Sequence, residues 1–237
     1  MHTDRILFVL TSADRMGNAP EPTGSWLEEI AAPYYTFLDA RCEITLASPK
    51  GGKAPLDPKS FAEEYTSAST RRFDADATAQ AALATTTPLA TIDADDYHAI
   101  FFAGGHGTMA DFPTDPIVAS VIEQFYAAGK PVSAVCHGPA CFMRARKPAG
   151  EPMIDAHRFT CFTDEEETLV GLHEIVPFLL ESSLAALGGI PQRAAPFAAN
   201  VVVDGQLITG QNPASAIPVA EAVIHQLRTR QQERSAA

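Results

Sequence analysis

A doubly wound α/β domain, its mostly parallel sheet covered by helices on both faces, is the fold this sequence predicts. Three observations carry that expectation. Short, uniformly apolar runs alternate with stretches of helical spacing, as buried parallel strands and their crossover helices require. An apolar run over 131–135 stops at Cys136 and is followed by Gly138-Pro139. Apolar residues make up 46% of the 237, ample for one large core.

The elements follow in order. Residues 6–10 predict a first buried strand; the segment is too short and too soon interrupted to read as a secretory signal. After a polar loop over 11–22, Thr23-Gly-Ser25 opens a helix that Pro33 should kink or restart. Residues 43–47 predict a second strand. From about 50 to 92 the rhythm breaks: Pro49, Gly51, Gly52, Pro55 and Pro58 precede a helix-capable stretch at 60–65 and an alanine-rich one at 75–84. This stretch is too poor in large apolar residues for its own core, and it reads as a rim insertion in a single domain spanning 1–237. The rhythm returns with a strand over 97–103 that ends in Gly104-Gly105-His106-Gly107, a helix over 116–128 and the strand before Cys136. A short strand is expected within 159–162. A helix is expected over 174–187, with Pro177 in its first turn and Gly188-Gly189 at its end. A hairpin over 201–209 turns at Asp204-Gly205, and a last helix over 214–228 is entered through Asn212-Pro213.

Composition excludes several classes of partner. A formal charge of −12 argues against nucleic acid or an anionic membrane surface. No apolar run approaches the roughly 20 residues that span a bilayer, so the expected compartment is the cytoplasm. The four cysteines show neither CxxC pairs nor the spacing of a disulfide or zinc framework. Cys42, Cys141 and Cys161 read as small buried hydrophobes, and no metal is expected. The glycine loop lacks the spacing of a Walker or Rossmann phosphate loop, so no nucleotide cofactor is expected either.

Cys136 is different because of its position. A buried strand, a sharp turn carrying a nucleophile and a following helix form a nucleophile elbow, where the helix N-terminus favours thiolate. Sites in such sheets lie beyond the carboxyl ends of the strands, which brings forward three segments: Cys136-His137, the glycine loop, and the polar stretch 163–167. The loop frees N–H groups to approach a ligand oxygen. Within it, His106 reads equally as a structural hydrogen-bonding group or a substrate contact. Glu165, Glu166 and Glu167 are consecutive, and sequence alone does not pick the one facing His137. Helical geometry likewise leaves Glu28 and Glu29 on the two flanks of the apolar face. His98 lies within a strand, and His2, His157, His173 and His225 have no supporting context.

The chain resembles the ThiJ/PfpI superfamily, with its class I glutamine amidotransferase-like (flavodoxin-like) fold, and within it the branch of heat-shock-protein-like, glyoxalase III type proteins. The segments that carry the resemblance are Thr23-Gly-Ser-Trp-Leu-Glu-Glu-Ile-Ala-Ala-Pro-Tyr-Tyr35, Leu46-Ala-Ser-Pro-Lys-Gly-Gly52, Leu56-Asp-Pro-Lys-Ser60, Gly104-Gly-His-Gly107, Ala134-Val-Cys-His-Gly-Pro139, Phe162-Thr-Asp164 and Thr209-Gly-Gln-Asn-Pro-Ala-Ser215. The resemblance implies Cys136 as nucleophile, His137 as its partner and Glu167 as the acidic third member. It implies Glu29 as a carboxyl group bonded to the sulfur, protonated because burial and like charge raise its pKa. Gly105 and His137 would supply oxyanion N–H groups, with Gly105 and His106 at the substrate.

The activity implied is cofactor-independent conversion of methylglyoxal or similar 2-oxoaldehydes to 2-hydroxy acids, in a homodimer. Competing readings are a holdase chaperone or oxidation sensor using Cys136, a deglycase acting on early aldehyde adducts of proteins or nucleotides, and a cysteine peptidase or amidohydrolase. Against the last stands the expectation that an imidazole directly following the cysteine reaches the sulfur poorly. Glutamine amidotransfer proper lacks a synthetase partner domain.

Overall fold

The computed structural model describes residues 3–16 and 21–236, the side chains of 234–236 excepted. His2 and residues 17–20 of the expected polar loop lie outside the described residues. Nine strands and eight helices among the described residues make up the fold, and they alternate much as the apolar runs predict. Strand β1 (Arg5–Val9) leads through a loop to helix α1 (Leu27–Asp39) and strand β2 (Glu43–Ser48). Helices α2 (Ala68–Ala75) and α3 (Ala77–Ala84) precede a two-residue strand β3 (Thr87–Pro88). Then come β4 (Ala99–Phe102), α4 (Thr108–Asp111), α5 (Pro116–Ala127) and β5 (Val132–Val135), the last followed by a 3₁₀ turn at Gly138–Phe142. The chain continues through β6 (Arg158–Phe159), α6 (Asp164–Leu169), α7 (Leu180–Ala186), β7 (Ile190–Pro191), β8 (Val201–Asp204), β9 (Leu207–Gly210) and α8 (Ala216–Ala236).

Among the described residues seven strands form one sheet in the order β3-β2-β1-β4-β5-β9-β8, and β6 pairs with β7 apart from it. All neighbours in the large sheet are parallel except β8 and β9, which form the expected antiparallel hairpin. Because side chains alternate along a strand, β1 divides its residues between two cores. Leu7 and Val9 face one layer with Ile100, Phe102 and the α5 residues Val118, Ile122 and Phe125. Ile6 and Phe8 face the other with Phe101, Ile30 and Phe37 of α1, and Val219 and Val223 of α8. Both faces are covered, which is the doubly wound arrangement the sequence predicts. Phe73 of α2 and Leu83 of α3 join the second layer, and β3 extends the sheet beyond β2.

Several boundaries differ from expectation for physical reasons. Pro33 neither restarts nor ends α1, which runs unbroken from Leu27 to Asp39. Proline removes one N–H, so a single intrahelical bond, to the Glu29 carbonyl, is forgone while the apolar face stays buried. The stretch 60–65 forms 3₁₀ turns, and the alanine-rich region is split by Asp76, which caps α3 by accepting from Thr78 and Ala79 N–H. Residues 174–179 are turn, and the helix begins at Leu180, so Pro177 precedes it. The strand expected in 159–162 is only Arg158–Phe159. Residues 213–215 form a 3₁₀ turn that precedes α8.

Candidate active site

Four loops meet beyond the carboxyl ends of β1, β4 and β5, and Cys136 lies at their centre. Its φ is 59°, a left-handed conformation uncommon outside glycine, held from both sides by Cys136 N–H donating to the Gly210 carbonyl at 2.9 Å and Phe162 N–H donating to the Cys136 carbonyl at 2.8 Å. The elbow predicted from sequence is present, but the helix after it is a five-residue 3₁₀ turn.

The imidazole of His137 does reach the sulfur: Nδ1 lies 3.3 Å from Cys136 Sγ. The objection drawn from chain adjacency therefore fails, because the strained turn swings consecutive side chains toward each other. On the far side of the ring, His137 Nε2 meets Glu167 Oε2 at 2.7 Å. Of the three consecutive glutamates, Glu167 is thus the one facing His137. Its other oxygen, Oε1, is 2.8 Å from His106 Nε2, so His106 pairs with the same carboxylate while lining the cleft outside. The two imidazole rings lie 4.1 Å apart, and Phe162 packs on the His137 ring at 4.6 Å.

The protonation states follow from the network. Burial raises the Glu167 carboxyl, but the neighbouring His137 imidazole and hydrogen bonds from both imidazoles outweigh it and hold the group well below the usual range. An ionised Glu167 only accepts, so both Nε2 atoms donate to it. Burial and neighbouring His106 pull His137 below its ordinary value, leaving a neutral ring whose Nδ1 is free to take a proton from sulfur. Burial, then the Glu29 carboxyl, push the Cys136 thiol well above its ordinary value. This corrects the expectation of a resting thiolate: a short 3₁₀ turn brings little helix dipole, and desolvation wins. Cys136 rests as a thiol beside a base.

Glu29 comes from the first turn of α1 and is fully buried. Its Oε2 accepts from Gly104 N–H at 2.9 Å, Oε1 is buried without a hydrogen-bond partner, and the carboxyl lies beside the Cys136 thiol. Burial pushes this carboxyl up to about 8, so it is protonated at neutrality, in agreement with expectation. Glu28 points elsewhere and accepts from Ser67 Oγ at 2.6 Å. Gly105, at φ 101°, and His137 present N–H groups that donate to no protein oxygen among the described residues; both are available to a substrate oxyanion. Thr108 Oγ1 lies 2.9 Å from the Gly105 carbonyl and 3.0 Å from that of His137, tying the two loops together.

Sequence reasoning gave no role of their own to Gly104, Thr108, Phe162 and Glu166. For Glu166 a signal existed: Thr163-x-x-Glu166 is a capping-box spacing, and the box forms. Nor did cysteine and histidine spacing foresee that His106, His137 and Glu167 would converge, with donor atoms within 4.8 Å of one another. Their contacts of 2.7 and 2.8 Å are hydrogen bonds; ligands around a tetrahedral zinc ion stand about 3.3 Å apart. Outside the triad a cleft of about 380 Å³ opens, lined by His106, Thr23, Asp57 and Lys59 together with Met16, Leu172 and Ile175.

A sequence profile described as the DJ-1/PfpI family matches residues 24–226, which include every residue of the site. The chain belongs to the DJ-1/PfpI family. Within that family it is 32% identical over 240 residues to the glutathione-independent glyoxalase HSP31 of Saccharomyces cerevisiae, covering 96% of this chain and all of that one. It is 31% identical to Glyoxalase 3 of Candida albicans, covering 93% and 97%. Among solved structures, glyoxalase III from Candida albicans superposes with a TM-score of 0.87 at 31% identity, over 94% and 96% of the two chains. The Rapid Encystment Protein of 24 kDa (REP24) from Francisella tularensis gives 0.91 at 38%, over 95% and 99%.

Proposed function

We propose that this DJ-1/PfpI protein is a glutathione-independent glyoxalase that converts methylglyoxal, or a similar 2-oxoaldehyde, to the 2-hydroxy acid. The observation that carries the reading is the continuous path from Cys136 Sγ through His137 to Glu167, with contacts of 3.3 and 2.7 Å. Relatives named as glyoxalases match over nearly the full length.

In this mechanism His137 Nδ1 takes the thiol proton as sulfur adds to the aldehyde carbon C1, giving a hemithioacetal. The new oxyanion takes hydrogen bonds from the Gly105 and His137 N–H groups, and Glu29, protonated, donates to sulfur. His137 hands the thiol proton to the C1 oxygen and then, steadied by Glu167, carries the C1 proton to the C2 oxygen, giving an enediol. Protonation at C2, with loss of the C1 hydroxyl proton, gives the thioester of lactate. Water then cleaves the thioester, returning the thiol and releasing lactate, so in sum methylglyoxal plus water gives lactic acid. Hydrogen moves from C1 to C2 within the substrate, and no hydride carrier is consumed. Gly105 and His106 line the substrate side of the site. We read the protein as acting in the cytoplasm as a homodimer; no helix among the described residues is long and apolar enough to cross a membrane.

The test is purified protein with methylglyoxal and no added thiol, following lactate. Turnover should be lost in Cys136→Ala; a variant that keeps most of its activity would rule out the sulfur chemistry. The same thiol–imidazole–carboxylate path also suits amide hydrolysis. Release of nitroaniline from peptide anilides faster than lactate from methylglyoxal would favour that reading.

A further inference from the structure

Glu166 is fully buried and has no cation partner among the described residues, yet its carboxylate is saturated. Oε2 accepts from Thr163 N–H and from Thr163 Oγ1, both at 3.0 Å. Oε1 accepts from Phe197 N–H at 2.7 Å and from the Asn212 amide at 2.9 Å. A capping box needs only the bond from Glu166 to the Thr163 N–H. The second oxygen does something else: it draws in two segments remote in sequence. Phe197 holds a φ of 61°, a conformation that aims its N–H at this oxygen, and its ring lies 6.3 Å from Phe162, which packs on His137.

Helix α6 has six residues, too few to hold a direction unaided. Glu167, the next residue, must nonetheless present one oxygen to each of two imidazoles. We infer that Glu166 is the positioning residue of this site: by gathering Thr163, Phe197 and Asn212 onto the first turn of α6, it fixes where Glu167 meets His137 and His106. The inference rests on the glyoxalase reading for its kinetic arm only. A buried anion there also acts on its neighbours. The titratable groups around it are Cys136, His137, Glu167 and Cys161, and its charge raises the thiols of Cys136 and Cys161 and the imidazole of His137.

The experiment compares full-length Glu166→Gln, Glu166→Asp and Thr163→Val with the parent protein. Two readouts are taken on folded material. One is kcat and KM for methylglyoxal. The other is the pH midpoint of iodoacetamide alkylation at Cys136, read on its peptide by mass spectrometry. Glu166→Gln places an NH₂ group against an existing donor and removes the charge. We expect kcat to fall about tenfold or more with KM little changed, and the midpoint to move to lower pH. Glu166→Asp keeps the charge but shortens the reach, so kcat should fall while the midpoint stays. Thr163→Val removes one donor to Glu166 and the cap that accepts its N–H but leaves Oε1 anchored, so it should lose less, and it serves if Glu166→Gln does not fold. A Glu166→Gln protein with kcat within about twofold of the parent, or an unmoved midpoint, would overturn the inference. If the parent makes no lactate, the glyoxalase reading fails while the alkylation arm still decides the role of Glu166.

Discussion

At the scale of single residues, the site runs on two buried acids in opposite states. Glu167 is ionised because two imidazoles donate to it; Glu29 is protonated because almost nothing does. The second fact has a kinetic consequence. Below about pH 8 Glu29 keeps its proton and can support the sulfur; above it, ionisation sets a bare charge beside the thiol. Activity should therefore fall on the alkaline side near that value. Glu29→Gln should lower kcat about a hundredfold, and the alkaline fall attributable to Glu29 should vanish, as a pH series of kcat/KM would read. A full-sized alkaline limb at the same pH in Glu29→Gln would place its origin elsewhere. Cys136 could be singled out from its neighbours in sequence alone, since an apolar strand ending at a cysteine before Gly-Pro is a strong pattern. Its resting state could not. That depends on burial from every direction, which only the assembled fold supplies.

At the scale of elements, the order of strands and helices was legible and their lengths were not. The strands β1, β4 and β5 announce themselves because burial on both faces selects near-continuous apolar runs, whereas β2 begins with an exposed Glu43 and carries a half-buried Thr45. Glu174 to Pro177 misled because helical spacing does not require a helix: the helix forms only from Leu180, where Leu180 and Leu184 enter the core. The choice of Glu167 over Glu166 turns on a capping interaction that rotates one side chain toward His137 and its neighbour away. Gly104 is where β4, the elbow after β5 and α1 come closest. A methyl group there would lie 2.4 Å from Glu29 Oε2, 2.6 Å from the Val135 carbonyl and 2.8 Å from the His137 nitrogen. Two of these are backbone atoms that cannot step aside. Gly104→Ala should lower stability by about 2 kcal/mol or more and lose nearly all turnover, measured by thermal denaturation and lactate formation. Wild-type activity in that variant would contradict the packing described here.

For the whole molecule, buried acids tie stability to pH. Glu29 has a folded value of about 8 against an ordinary 4.5. Between those limits the folded chain holds a proton that the unfolded chain releases, so its contribution is full below 4.5 and is lost as pH rises to about 8. Asp111, pushed up to about 6 by burial, acts in the same direction at lower pH. Glu167, held low, works oppositely: its contribution is present above its ordinary 4.5 and is lost as pH falls further. The stability of the parent relative to Glu29→Gln, read by thermal denaturation, should therefore decline from pH 5 to 8 by up to about 4 kcal/mol. Parallel slopes in the two proteins would mean that Glu29 is ionised in the fold.

The left-handed backbone at position 136 bears on what kinds of silent descendants this scaffold can have. Alanine there keeps the torsional penalty of cysteine, which makes Cys136→Ala a like-for-like comparison. Glycine would relieve about 1 kcal/mol of it. A lineage released from catalytic duty would therefore drift toward glycine at this turn, and such a homologue should be sturdy and inert.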